Sequence, residues 1–277
     1  MSRQDHQGAG VLVQEARPSP GLRTVVRGYR ERTAEAAGPG FIIPLPGRPA
    51  QFLEIYLDAP LLVSLDGGAF SPAAEAVVVG PSSRHRARLF VTGRVATFHI
   101  EFEPTGFHRL FGVGMPELVD TATPTEGLGL KELDDLVSKV RLAPNFGERA
   151  RAADEWLAHR LAWSRPVEAV DKIARLIRRS LGAPSISQLA HRLEMSPRQL
   201  QRRFNEQVGL PPKLYARTVR FDAVLRARER RPETTWTELA HHYGYFDQAH
   251  LLRDAHAFTG MAPTAFEQEE LAMSVPS

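Results

Sequence analysis

The chain contains no cysteine, which excludes a disulfide framework, a thiolate metal site and a cysteine nucleophile. It also lacks any run of about eighteen apolar residues, the length a helix needs to span a bilayer. The opening stretch MSRQDHQGAGVLVQEARPSP has no apolar signal core and is expected to be a flexible leader over residues 1–20. No glycine loop of the phosphate-binding type is present, and no cofactor, metal or catalytic residue is expected. These absences leave a cytoplasmic protein as the simplest reading. What remains is an ordinary globular composition, 43% hydrophobic and 24% charged, in 277 residues that can bury two separate cores.

Basic residues are scarce in one region and crowded in another. From Pro232 to the end a single Arg253 faces seven acidic residues, a balance of −6, whereas between Lys172 and Arg231 fifteen Lys or Arg face four Asp or Glu, a balance of +11. The formal net charge of +3 conceals this segregation. A basic block of that size suits a polyanionic partner; a solvated helical surface would carry the same charge. The expectation drawn from it is that phosphate attraction concentrates on residues 185–207 and on the helix expected over 212–228.

The periodicity of the chain changes along its length. Leu53, Ile55 and Leu57 alternate with Glu54, Tyr56 and Asp58, and Phe98, Ile100 and Phe102 alternate with Thr97, His99, Glu101 and Glu103. Alternation of period two, punctuated by turns such as GPG, PLPGRP and LDGG, predicts half-buried strands over residues 22–103 that close a small barrel or sandwich. From Pro104 onward the spacing is three and four. Leu130, Leu133, Leu136, Val137 and Val140 form one apolar stripe, and Ala153, Trp156, Leu157 and Leu161 another. Apolar faces in this region exceed what a small barrel needs to cover itself, so residues 1–163 are expected either to dimerise around Leu130–Leu161 or to pack those faces within the chain. Trp163-Ser164-Arg165-Pro166 marks the boundary to a second domain, whose first helix is expected over Val167–Leu181.

Inside that second domain a pattern occurs twice. Ser185-x-x-Gln188 and Thr235-x-x-Glu238 each precede an identical Leu-Ala-His, at 189–191 and 239–241, fifty residues apart. After an offset change of one residue, Leu200 matches Leu251, Arg202 matches Arg253, Gly209 matches Gly260 and Pro212 matches Pro263. Both openings are capping boxes, in which a hydroxyl and an acid or amide satisfy free backbone donors. Ser196 with Pro197, and Asp247 after Gly244, can each start a second helix. Two short helices joined by a tight turn form a helix-turn-helix, here at 185–207 and again at 235–259. Leu200 and Phe204 should face a core while Arg198, Gln201 and Arg202 project outward. Arginine can bond guanine, and glutamine adenine, in the major groove. A connector helix over 212–228, about 25 Å long, would set the two units roughly one DNA turn apart.

SISQLAHRLEMSPRQLQRRFNEQVGLPPKLYARTVRFDAVL followed by YGYFDQAHLLRDAHAFTGMAPTAF closely resembles the AraC-type (AraC/XylS) bacterial transcriptional regulators. The resemblance covers roughly residues 170–267 and implies a DNA-binding domain over 166–267 with a tail at 268–277. In that family the second helix of each unit enters the major groove. Carried over by position, the DNA-facing residues are Arg198, Gln201 and Arg202 in the first unit and Gln248, Ala249, Leu252 and Arg253 in the second. The second unit departs from the family pattern: Ala255 stands where a phenylalanine is usual, Ala257 where a basic residue is frequent, and Leu252 where a polar one is usual. Leu252 either touches a thymine methyl or packs inward.

Residues 21–163, with the segment Phe102-Glu103-Pro104-Thr105-Gly106 leading into helices, are similar to the small N-terminal barrel of one subgroup of that family. The fold class expected is α+β in two domains, a small cupin-like β-barrel with trailing helices and an all-α double helix-turn-helix. The resemblance implies duplex DNA as partner, with RNA polymerase, a small-molecule effector and a second copy of the chain as further candidates. A rival from another class is a cupin-like metal enzyme with an accessory DNA-binding module. Its plausible ligands are His85, His99 and Glu101, the last two on one strand face.

Overall fold

The computed structural model describes residues 12–36, 40–58, 61–84, 87–182, 186–192 and 195–267. Among them ten strands form: β1 (Leu12–Ala16), β2 (Val26–Glu35), β3 (Phe41–Leu45), β4 (Phe52–Tyr56), β5 (Leu62–Leu65), β6 (Ser71–Pro72), β7 (Ala76–Val79), β8 (Ala87–Val91), β9 (Arg94–Phe102) and β10 (Ala122–Pro124). They pair into two antiparallel sheets, ordered β1-β2-β9-β4-β7-β10 and β3-β8-β5-β6. Among the described residues the strands form two separate sheets, with no strand hydrogen-bonded into both.

Leu12–Ala16 fell within the expected leader, but these residues are paired in full with β2, from Leu12 opposite Thr33 to Ala16 opposite Tyr29. Arg30 Nη2 also reaches Glu15 Oε1 at 2.7 Å. An edge strand is held by backbone hydrogen bonds, so its weak hydrophobic pattern hid it. The alternation in β4 is likewise real but covered on both faces. Leu53 and Ile55 enter one core, while Tyr56, expected among the outward residues, is 2% exposed because the smaller sheet lies over it. Val77, Val91 and Val95 share that inter-sheet layer.

The opposite face of the larger sheet is covered by helices α1 (Gly106–Phe111), α2 (Lys131–Leu142) and α3 (Phe146–Leu161). Gly106 is where α1 can begin: a Cβ there would lie 2.0 Å from the Val25 carbonyl oxygen. Asn145 caps α3 by accepting from the Glu148 N–H at 3.0 Å. Leu133, Leu136, Val137, Val140, Ala153 and Leu157 are all buried against the sheet. The apolar stripes that suggested a dimer contact are therefore used within the chain.

Helix α4 (Ala169–Arg179) starts from Glu168 and stops before Leu181 and Gly182, both at positive φ. Helices α5 (Ile186–Arg192), α6 (Pro197–Val208), α7 (Pro212–Arg230), α8 (Trp236–His242) and α9 (Gln248–Thr259) follow. They build two cores. Ile173, Ile177, Leu189, Leu200, Phe204, Tyr215 and Val219 form the first; Phe221, Val224, Trp236, Leu239, Leu251, Ala255 and Phe258 form the second. Helix α7 contributes to both, its first half to one and its second half to the other. Among the described residues no helix is long and apolar enough to cross a membrane.

Candidate nucleic-acid interface

Each helix-turn-helix unit is set by local chemistry. In the first, Ser196 Oγ accepts from the Gln199 N–H at 3.2 Å while Gln199 Oε1 accepts from the Ser196 N–H at 3.1 Å, with Pro197 next in the helix. Ser185, the expected cap of α5, lies outside the described residues. In the second, the Thr235 N–H donates to Glu238 Oε2 at 2.8 Å and Thr235 Oγ1 accepts from the Glu238 N–H at 3.2 Å. The Thr235 N–H and the Thr235 hydroxyl, both donating to Glu238 Oε2 at 2.8 Å, hold the Glu238 carboxyl below its usual range. Gly244 turns at φ +71°, and Asp247 caps α9 by accepting from the His250 N–H at 2.7 Å.

The caps fix where α6 and α9 begin, and their apolar positions fix which face is left free. Leu200 and Phe204 are 1% and 0% exposed, while Arg198, Gln201 and Arg202 all lie in solvent and line a shallow concavity with Gln199 and Asn205. Neither Arg198 nor Arg202 has an ion-pair partner among the described residues. Arg203, their neighbour, instead reaches Glu168 Oε2 at 3.4 Å and braces α6 against α4. On α9, Leu251, Ala255 and Phe258 are buried and Gln248, Ala249, Leu252 and Arg253 are exposed. Leu252, at 38% exposure, does not pack inward. Gln248 Oε1 accepts from Thr237 Oγ1 at 3.1 Å, which ties the start of α9 to α8. All seven predicted positions are thus on the open faces of the two helices.

The connector helix differs from its sequence reading, because several of its arginines are engaged within the protein. Arg217 Nε and Nη2 donate to Asp254 Oδ1 at 3.0 and 2.6 Å, and its guanidinium lies over the Phe258 ring. Arg220 donates to the Gly182 carbonyl and covers Tyr245; Arg226 pairs with Asp222; Arg228 pairs with Glu267 and lies over Trp236. A count of basic residues cannot distinguish a cation facing DNA from one holding α9 to α7. Arg217→Ala is accordingly expected to cost about 1–3 kcal/mol of stability, since Asp254 is 1% exposed and loses two donors. It should leave the slope of log affinity against log salt unchanged. A slope shallower by about 0.9 would place Arg217 on a phosphate instead.

Of the residues of the rival metal reading, His99 and Glu101 are each engaged with other side chains. His85 lies outside the described residues. Glu101 pairs with Arg27, and His99 Nε2 sits 2.9 Å from Thr97 Oγ1 and 3.3 Å from Glu54 Oε1. Burial would raise the Glu54 carboxyl, but His99, Arg32 and Tyr56 outweigh it and hold it below its usual range. Among the described residues no group of three or more His, Asp or Glu is arranged to hold a metal ion.

Residues 189–269 match the family model described as a helix-turn-helix domain. No curated protein matches the chain. Among solved structures, ToxT from Vibrio cholerae O395 is 10% identical, with 89% of this chain and 99% of that chain covered and a TM-score of 0.48. The unsaturated fatty acid bound ToxT of Vibrio cholerae strain SCE256 is 12% identical, with coverage of 98% and 97% and a TM-score of 0.44. With two capped units, two cores and one shared helix, the C-terminal region of this chain is an AraC-type helix-turn-helix DNA-binding domain.

Proposed function

We propose that the protein is a cytoplasmic, sequence-specific transcription regulator that lays α6 and α9 into two successive major-groove segments on one face of duplex DNA. RNA polymerase is the machinery it addresses. Residues 166–267 bind DNA, and residues 21–163 sense a small-molecule effector, pair with a second copy, or do both. The observation that carries this reading is the sharing of α7 by two units that each keep one helix face open to solvent. Its 19 residues span about 28 Å, close to the roughly 34 Å between equivalent major-groove positions. Arg202→Ala is expected to weaken specific binding by about 1–3 kcal/mol and to relax preference at one base position. A titration at fixed salt against cognate and singly changed duplexes measures both. Unchanged affinity and preference would remove Arg202 from the reading surface.

Contacts between the two regions support modulation. Arg178 Nη2 donates to both Glu103 oxygens at 2.9 and 3.0 Å, Thr105 Oγ1 donates to Asp171 Oδ1 at 2.5 Å, and the Gly47 N–H donates to the Phe258 carbonyl at 2.7 Å. A ligand that moves the N-terminal domain has a physical route to both reading helices. For the second copy we favour the groove beside α2 and α3. Leu142 and Trp163 stand 85% and 80% exposed there, next to Trp156 and His159. Sedimentation of the full chain at high micromolar concentration should show a dimer that Trp163→Glu converts to monomer. A wild-type monomer under those conditions would discard this contact.

A further inference from the structure

We propose that the second unit reads thymine through its C5-methyl group, using an apolar patch built from Ala249 and Leu252 and extended by Phe246. The proposal rests on the reading of α9 as a recognition helix and assigns it a base chemistry. The two reading faces differ in kind. That of α6 offers two guanidinium groups and an amide. That of α9 places Ala249 and Leu252 between Gln248 and Arg253, and all four are exposed. A leucine 38% exposed on a solvated helix has no packing reason to be there, because Leu251 and Ala255 already fill the core at 0% exposure.

Phe246 adds to this. It precedes the Asp247 cap, a place from which an apolar side chain ordinarily folds back onto the fourth helical residue. That residue is the fully buried Leu251, yet Phe246 is 93% exposed. Three apolar side chains at three-residue spacing therefore mark the N-terminal end of α9, the end that approaches base edges in a helix-turn-helix. In the major groove, the thymine methyl is the base feature that such side chains contact.

The test uses the full chain and a duplex selected from a random-sequence pool. Each thymine of the selected site is replaced by deoxyuridine, which removes the methyl and leaves every hydrogen-bonding group. We expect about a threefold to fourfold loss of affinity per contacted methyl, the worth of one buried methyl-sized group, confined to one half of the site. Leu252→Ala should abolish that sensitivity, while Arg202→Ala should preserve it. Two results overturn the proposal alone: no deoxyuridine effect at any thymine, or an equal effect in wild type and Leu252→Ala. The first of these, with Leu252→Ala binding DNA normally, would mark the patch as a face for another protein. Failure to select any duplex would sink the DNA-binding reading itself, and this proposal with it.

Discussion

Asp171→Ala is expected to destabilise the protein by about 3–5 kcal/mol, the cost of leaving a buried charge without its partner. Asp171 is 1% exposed on α4 and faces the N-terminal domain. Its carboxylate accepts from Thr105 Oγ1 at 2.5 Å and from the Glu168 N–H at 2.8 Å, and lies 3.5 Å from Arg109 Nη1. Arg109 is itself 5% exposed, and burial pulls its guanidinium below the usual value although Asp171 opposes this. Without the carboxylate, the Arg109 guanidinium keeps only the carbonyls of Thr24 and Arg165, and the Glu168 N–H at the start of α4 loses its acceptor. Asp171→Asn restores acceptors but not charge, and should recover part of the loss. Urea titration with tryptophan fluorescence measures this, because Trp156 and Trp163 report on the N-terminal domain and Trp236 on the second unit. Coincident loss at all three would show that α4 holds the two regions as one cooperative body; an unshifted midpoint would show the pair to be dispensable.

Phe204→Ala is the second large effect, about 3–5 kcal/mol. The ring is 0% exposed, 5.6 Å from that of Tyr215, at the centre of the first core. Binding to DNA should fall with folding of the first unit, since the Leu200–Phe204 face is what turns Arg198, Gln201 and Arg202 outward. Phe204→Leu should retain most of both. The matching position in the second unit already holds the small Ala255, buried among Phe221, Phe258 and Phe266. Ala255→Phe, which would restore the residue usual in the family, is expected to overpack that core by about 1–3 kcal/mol. Denaturation midpoints of the two variants measure the contrast. A stabilised Ala255→Phe would mean that the second core has room to spare.

How much of this was legible beforehand depends on the range of the interaction. Ser196 with Gln199, Thr235 with Glu238, and Asp247 with His250 are bonds across three residues, and the sequence pattern was enough to place each. The two faces of α6 followed from spacing within one helix. Arg217 and Asp254 are 37 positions apart, and nothing local distinguishes an arginine that meets a carboxylate from one that meets solvent. Strand β1 was missed for the same reason, its partners running from Thr33 opposite Leu12 to Tyr29 opposite Ala16. The orientation of Leu252 was undecidable in sequence because an apolar residue on an amphipathic helix is ordinarily buried. A barrel and a two-sheet sandwich could not be told apart, because alternation reports that one face is covered without saying what covers the other.

The short loop around Gly47 and Arg48 has a bearing on torsion. Gly47 bonds the last turn of α9, and Arg48 reaches Asp222 and Glu229 on α7, each at 3.4 Å. At the other end, Gly209, which follows α6, sits so close to Met115, Val119 and Pro81 that even a Cβ would collide. The two recognition helices are thus clamped to a common block as well as joined through α7. Along a duplex, successive base pairs are rotated by about 34°. The angular phase between α6 and α9 therefore decides whether both can be seated at once. A connector helix alone would twist under thermal motion like any rod fixed at its ends. Anchoring both ends to one body stiffens that twist and makes the phase a property of the whole chain.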